Sequence, residues 1–162
     1  MFTQACRALL AAAFCALAAT AQAQVPQYGA NVNLEHARKV LAAAIAEARR
    51  QNLPMAVAVV DNAGLLVAFE RMDNTQTASA VVAQDKAVSA AMYRRPTKAF
   101  QDVLAAAGPG LRILTLRYVN AAEGGLPIYL DGKIIGGIGV SGGSSEQDGV
   151  VAKAGADVLA AK

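Results

Sequence analysis

Gly124–Gly149 reads GGLPIYLDGKIIGGIGVSGGSSEQDG and holds nine of the chain's fourteen glycines. Its centre, Gly137-Ile-Gly139-Val-Ser-Gly142, fits the dinucleotide pattern G-x-G-x-x-G. That pattern binds a pyrophosphate only between a strand and a helix, with a second parallel strand carrying an acid about 20 residues on. Here the chain ends at Lys162, and the acid at that distance, Asp157, falls in a terminal helical pattern. No nicotinamide or flavin is therefore expected. Asp131-Gly132 between apolar runs instead predicts a hairpin, with strands over Leu126–Leu130 and Lys133–Val140. The glycines then have two uses. Gly136, Gly137 and Gly139 let a helix or another subunit press against the strand. Gly142 and Gly143 sit where strand turns to helix and can aim N–H groups at a carboxylate or phosphate. Ser144-x-x-Gln147 and Ser145-x-x-Asp148 resemble capping boxes for a last helix.

Upstream, Asn33 is a natural N-cap for LEHARKVLAAAIAEARRQN, whose apolar residues recur at a helical period until Asn52 and Pro54. Met55–Asp73 reads as a second hairpin around Asp61-Asn62-Ala63-Gly64. Its second strand is apolar on both sides, so helices should cover both faces of the sheet. Thr77–Met92 is helical and Pro96 breaks it. Thr97 can cap a short helix to about Ala107, and Arg112–Val119 alternates like a strand. The expected fold is α+β, one antiparallel sheet of about five strands between helices.

Met1–Ala23 has one cation, Arg7, an apolar run from Ala8 to Ala21, and Ala21-Gln22-Ala23 before Gln24. This is the form of a cleaved export signal, and the run is short for a membrane span. Both cysteines, Cys6 and Cys15, would leave with it. A lead-in over 24–32 and a single domain over 33–162 would remain, in the periplasm or outside the cell. A disulfide or thiolate nucleophile is then unavailable. The formal charge of +3 falls to +2 without Arg7, and its cations are dispersed. Nucleic acid would ask for a basic stripe with aromatics. No second membrane-length span appears.

VAVVDNAGLLVAFERMD (57–73), Lys86-Ala87 and GGLPIYLDGKIIGGIGVSGGSSEQD (124–148) together resemble the GlcG/HbpS family, which includes the C-terminal domain of PduO-type proteins. The likeness runs from about Leu34 to Leu159. It implies a profilin-like fold with five antiparallel strands, assembly from dimers to octamers, and haem binding in several members. It places Thr97 at a position that contacts haem iron in the secreted branch. Other members use His or Cys, and here His36 is the sole imidazole.

The residues add their own candidates. His36 and Met72 are further axial donors for haem, as are Met92, Tyr93 and Tyr118. Arg71, Lys86, Arg94, Arg95 and Lys98 can pair with ligand carboxylates. Arg71 and Asp73 share a strand face near its polar end, and Asp61 begins the adjacent turn. These three can hold a small polar ligand, with Asp61 or Asp73 as base. The expectation is an exported oligomeric protein binding haem or a related carboxylate-bearing ligand through Arg71, Asp73, Lys86, Thr97, Gly142 and Gly143. A small periplasmic enzyme acting on an organic acid or on haem is the alternative, and an assembly or sensor partner without a small ligand is the third reading.

Overall fold

The computed structural model describes residues 25–160. The expected export signal lies outside the described residues. Helix α1 (Leu34–Arg50) is followed by strands β1 (Ala56–Asp61) and β2 (Leu66–Arg71), then helices α2 (Ser79–Tyr93) and α3 (Lys98–Ala105). A 3-10 helix (Gly108–Thr115) leads to β3 (Gly125–Leu130), β4 (Lys133–Ser141) and helix α4 (Ser145–Ala160).

Both hairpins form, and every strand pair is antiparallel, in the order β2-β1-β4-β3. Four strands are present, where five were expected. The segment read as the fifth, Arg112–Val119, is the end of the 3-10 helix and a turn. Ala107 and Gly108 take left-handed backbone angles and Pro109 opens the helical turn, which sets the chain winding before the alternation begins. Leu111, Leu114 and Leu116 stay exposed and only Ile113 is buried, so no sheet supports a period of two. The lead-in is more ordered than its composition suggested. Tyr28 forms a parallel bridge with Ile134, and the Val32 N–H donates to the Ile135 carbonyl at 2.6 Å.

The two sheet faces are built differently. On one, Val57, Val59, Ile138 and Val140 pack with Val40, Leu41, Ile45 and Val151 from α1 and α4. On the other, Ala56, Ala58 and Val60 meet Ala83, Ala87 and Ala91, small residues one helical turn apart on α2. There the strand glycines find their use. A Cβ on Gly137 would lie 2.5 Å from the Ala87 carbonyl oxygen, and one on Gly139 would overlap the Ala83 carbonyl. Backbone thus meets backbone, with no side chain between β4 and α2.

Candidate functional site

Residues far apart in sequence converge where β3 begins and β4 ends. Lys86, 2% exposed, reaches from α2 to the other layer of the fold. Its Nζ donates to Asp148 Oδ2 at 2.7 Å and to the Val140 carbonyl at 3.1 Å. The other Asp148 oxygen accepts the Gly143 N–H at 2.9 Å. Gly124 leaves room for this pair: a Cβ there would stand 2.7 Å from Asp148 Cβ and 2.9 Å from Lys86 Nζ. Alongside, Thr97 Oγ1 accepts the Gly125 N–H at 2.9 Å, and the Thr97 N–H donates to the Gly125 carbonyl at 2.9 Å. Burial pushes the Asp148 carboxyl above its ordinary value, and the Lys86 ammonium and the Gly143 N–H partly oppose that rise.

This cluster reassigns several expected site residues. Lys86 is a buried strut, and its charge is met by Asp148. Thr97 is fully buried with its hydroxyl engaged. The carboxylate that Gly143 receives is the chain's own Asp148. Gly142 lies against the Pro54–Met55 backbone, where a Cβ would be 2.5 Å from the Pro54 carbonyl oxygen. Sequence reading placed Asp148 in a capping box with Ser145. The box that forms is Ser144–Gln147, in which Gln147 Oε1 accepts the Ser144 N–H at 2.8 Å and Ser144 Oγ accepts the Gln147 N–H at 3.3 Å. The partnership of Lys86 with Asp148 was missed. Its only sequence signal is a lysine amid an alanine-rich helix period.

Arg71 and Asp73 are exposed at the far end of β2. Asp61 is not with them, because Arg71 pairs with Ala56 and so sits about 17 Å along the sheet from Asp61. Asp61 Oδ1 instead accepts the N–H groups of Ala63 and Leu65 at 2.8 and 2.9 Å, closing the turn. Met72 packs against the larger core. Arg94 lies over the Tyr28 ring at 5.3 Å, Arg95 over Phe100 at 5.6 Å, and Lys98 pairs with Asp102.

His36 is placed differently. It lines a cavity of about 370 Å³ with Gly29, Asn31, Leu130, Lys133 and Ile135 among its walls. Asn33 caps α1 by accepting the His36 N–H at 2.8 Å, which fixes the ring's attachment at the helix start. The cavity brings together an imidazole, the Lys133 ammonium, the Asp131 carboxylate and two aliphatic walls, and none of the other axial candidates, Thr97, Met72, Met92, Tyr93 and Tyr118, lines it. Three of these are what a haem asks for, a donor, a cation for a propionate and apolar surface, while Asp131 sets a like charge that a propionate must keep clear of. Next to it, Asn62 Nδ2 donates to the Gly29 carbonyl at 3.1 Å and leaves its buried Oδ1 without a protein partner.

The fold and these sites define a single α/β/α domain with an internal polar strut and a histidine-lined surface cavity. A family model described as haem degrading protein HbpS-like matches residues 32–157, and the chain belongs to that HbpS-like family, which includes GlcG. GlcG of Escherichia coli K12 is 40% identical over 105 residues, which span 65% of this chain and 77% of GlcG. A double mutant of HbpS from Streptomyces reticuli superposes with a TM-score of 0.72 at 33% identity, covering 82% of this chain and 90% of that one. A crystal structure of PduOC in complex with haem superposes with a TM-score of 0.69 at 30% identity, covering 77% and 92%. Among the described residues, no helix is long and apolar enough to cross a membrane.

Proposed function

We propose that the chain is an exported, oligomeric protein on a profilin-like scaffold, holding haem or a related carboxylate-bearing ligand. The observation that carries the reading is the haem complex of a relative with the same fold. The His36 cavity supports it from within this chain. His36 would hold the iron, Lys133 would face a propionate, and Leu130 and Ile135 would flank the ring. Bound haem supplies an iron centre; the protein supplies position, charge and exclusion of water. A cavity of about 370 Å³ covers only part of so large a ligand, and a second subunit closing the open side would complete it. The sequence of Met1–Ala23 supports export. The acid–base alternative draws no support from Asp61, whose carboxylate is committed to its own turn.

Haem titration of the purified chain tests the site. Saturation at one haem per subunit with a Soret shift is expected, and His36→Ala should weaken it roughly tenfold or more. Thr97→Ser, which keeps the hydroxyl that Gly125 needs, should leave the spectrum unchanged. Unsaturable uptake indifferent to His36→Ala would sink the assignment. The amino terminus of the protein recovered from a periplasmic fraction should be Gln24. Light scattering should give a mass above that of one chain.

A further inference from the structure

A second cavity lies elsewhere, and the His36 assignment makes no use of it, although Met92 and Tyr118, offered above as axial donors, both line it. It measures about 550 Å³ and sits between the β1–β2 turn, the outer side of α2 and the segment 118–120. Asp85, Val88 and Met92 line one wall at helical spacing. Leu65 and Gly64 close the turn end, and Tyr118, Val119 and Asn120 form the opposite side.

Three features make this more than a dent in the surface. First, its lining mixes aliphatic side chains (Leu65, Val88, Met92, Val119) with Tyr118, Asn120 and Asp85, and no lining residue carries positive charge. Asp85 makes no side-chain ion pair among the described residues. Second, Tyr118 is held in the left-handed region at φ 63°, a conformation that bulky residues avoid. The segment is pinned there: Ser89 Oγ donates to the Tyr118 carbonyl at 2.6 Å and accepts the Asn120 N–H at 2.7 Å. The Tyr93 hydroxyl donates to the Arg117 carbonyl at 2.7 Å. Two α2 side chains thus fix a strained aromatic beside the cavity, an arrangement characteristic of ligand clamps. Third, Gly64 lacks the Cβ that would stand 3.2 Å from Val88 Cγ1 and 3.4 Å from Met92 Sδ, so the turn fits flush against the helix and shapes the end of the cavity.

We propose that this cavity is a second ligand site, selective for a small organic cation: an ammonium group on an apolar or aromatic body. The ammonium would meet Asp85 and the Tyr118 ring, by charge and by cation–π attraction. The body would lie against Leu65, Val88 and Met92. The cavity differs from the His36 cavity in that its lining offers no cation for a propionate.

The experiment uses the purified full chain, 2-phenylethylammonium as probe and neutral 2-phenylethanol as control, followed by calorimetry and amide shifts. The cation should saturate below about 1 mM and bind roughly tenfold more tightly than the alcohol. Asp85→Asn, at an exposed position, should abolish that preference while haem titration stays as in the unmodified protein. Met92→Lys, which places an ammonium in the cavity beforehand, should block the probe with folding checked by circular dichroism. Equal binding of both compounds, a preference that survives Asp85→Asn, or no uptake because a second copy covers the cavity would each overturn the proposal.

Discussion

Lys86 and Asp148 carry opposite charges in a place with almost no water, and each is costly alone. Asp148→Asn leaves a buried ammonium without a countercharge, and should cost about 3–5 kcal/mol in denaturant unfolding. Lys86→Met should depend on pH. An acid whose folded value is raised binds its proton more tightly when folded, so its contribution is full below the unfolded value, near 3.8, and is lost as pH rises through the raised one. Removing Lys86 raises the folded value further. The variant should therefore lie close to the parent protein near pH 4 and fall progressively behind it as the pH rises to 7, as read by denaturant unfolding at each pH. The double variant Lys86→Met/Asp148→Asn should lose less than the sum of the single ones, because with both groups replaced no bare charge is left. Little of this was legible beforehand. The two residues are 62 positions apart, and nothing local in either segment points to the other.

Elements whose cause is local were readable. Asp131-Gly132 and Asp61–Gly64 specify their hairpins within a few residues, and Asn33 and Ser144 announce helix starts by side chains that cap them. The failure at 112–119 is instructive by contrast. Alternation there is real in the sequence, but the positive-φ residues Ala107 and Gly108 and then Pro109 start a 3-10 winding, and the segment pairs with neither edge strand, β2 or β3. The glycine stripe of β4 was half legible: close approach was foreseen, and whether a helix or another chain approached was left open. Since α2 backbone fills that space, Gly139→Ala should be severe, above about 3 kcal/mol or without folded product, as judged by thermal melts. Gly132→Ala makes a useful comparison. Nothing lies within 4 Å of its added Cβ, and the cost should be confined to the left-handed backbone at φ 73°, about 1–2 kcal/mol.

At the scale of the molecule, the sequence blocks that carry the family resemblance come together in space. Lys86, Thr97, Gly124, Gly125 and Asp148 meet at one knot between the layers. In this chain these residues serve the scaffold. The cavities are lined by residues outside that knot, including His36, Lys133, Asp85 and Met92. Ligand preference within the family should follow these lining positions, so that exchanging His36 and Lys133 together changes haem uptake while the melting temperature moves by only a few degrees.

The strand order has a consequence for synthesis. β1 leaves the ribosome early, yet one of its two partners, β4, is among the last parts made, and Tyr28 at the very front is clipped to Ile134 and to the carbonyls of Ala91 and Met92. A nascent chain cut short before residue 133 has no central strand pair to collapse around. The four-stranded sheet is therefore completed only when β4 emerges, and fragments ending before residue 133 should be digested by protease under conditions where the full chain resists.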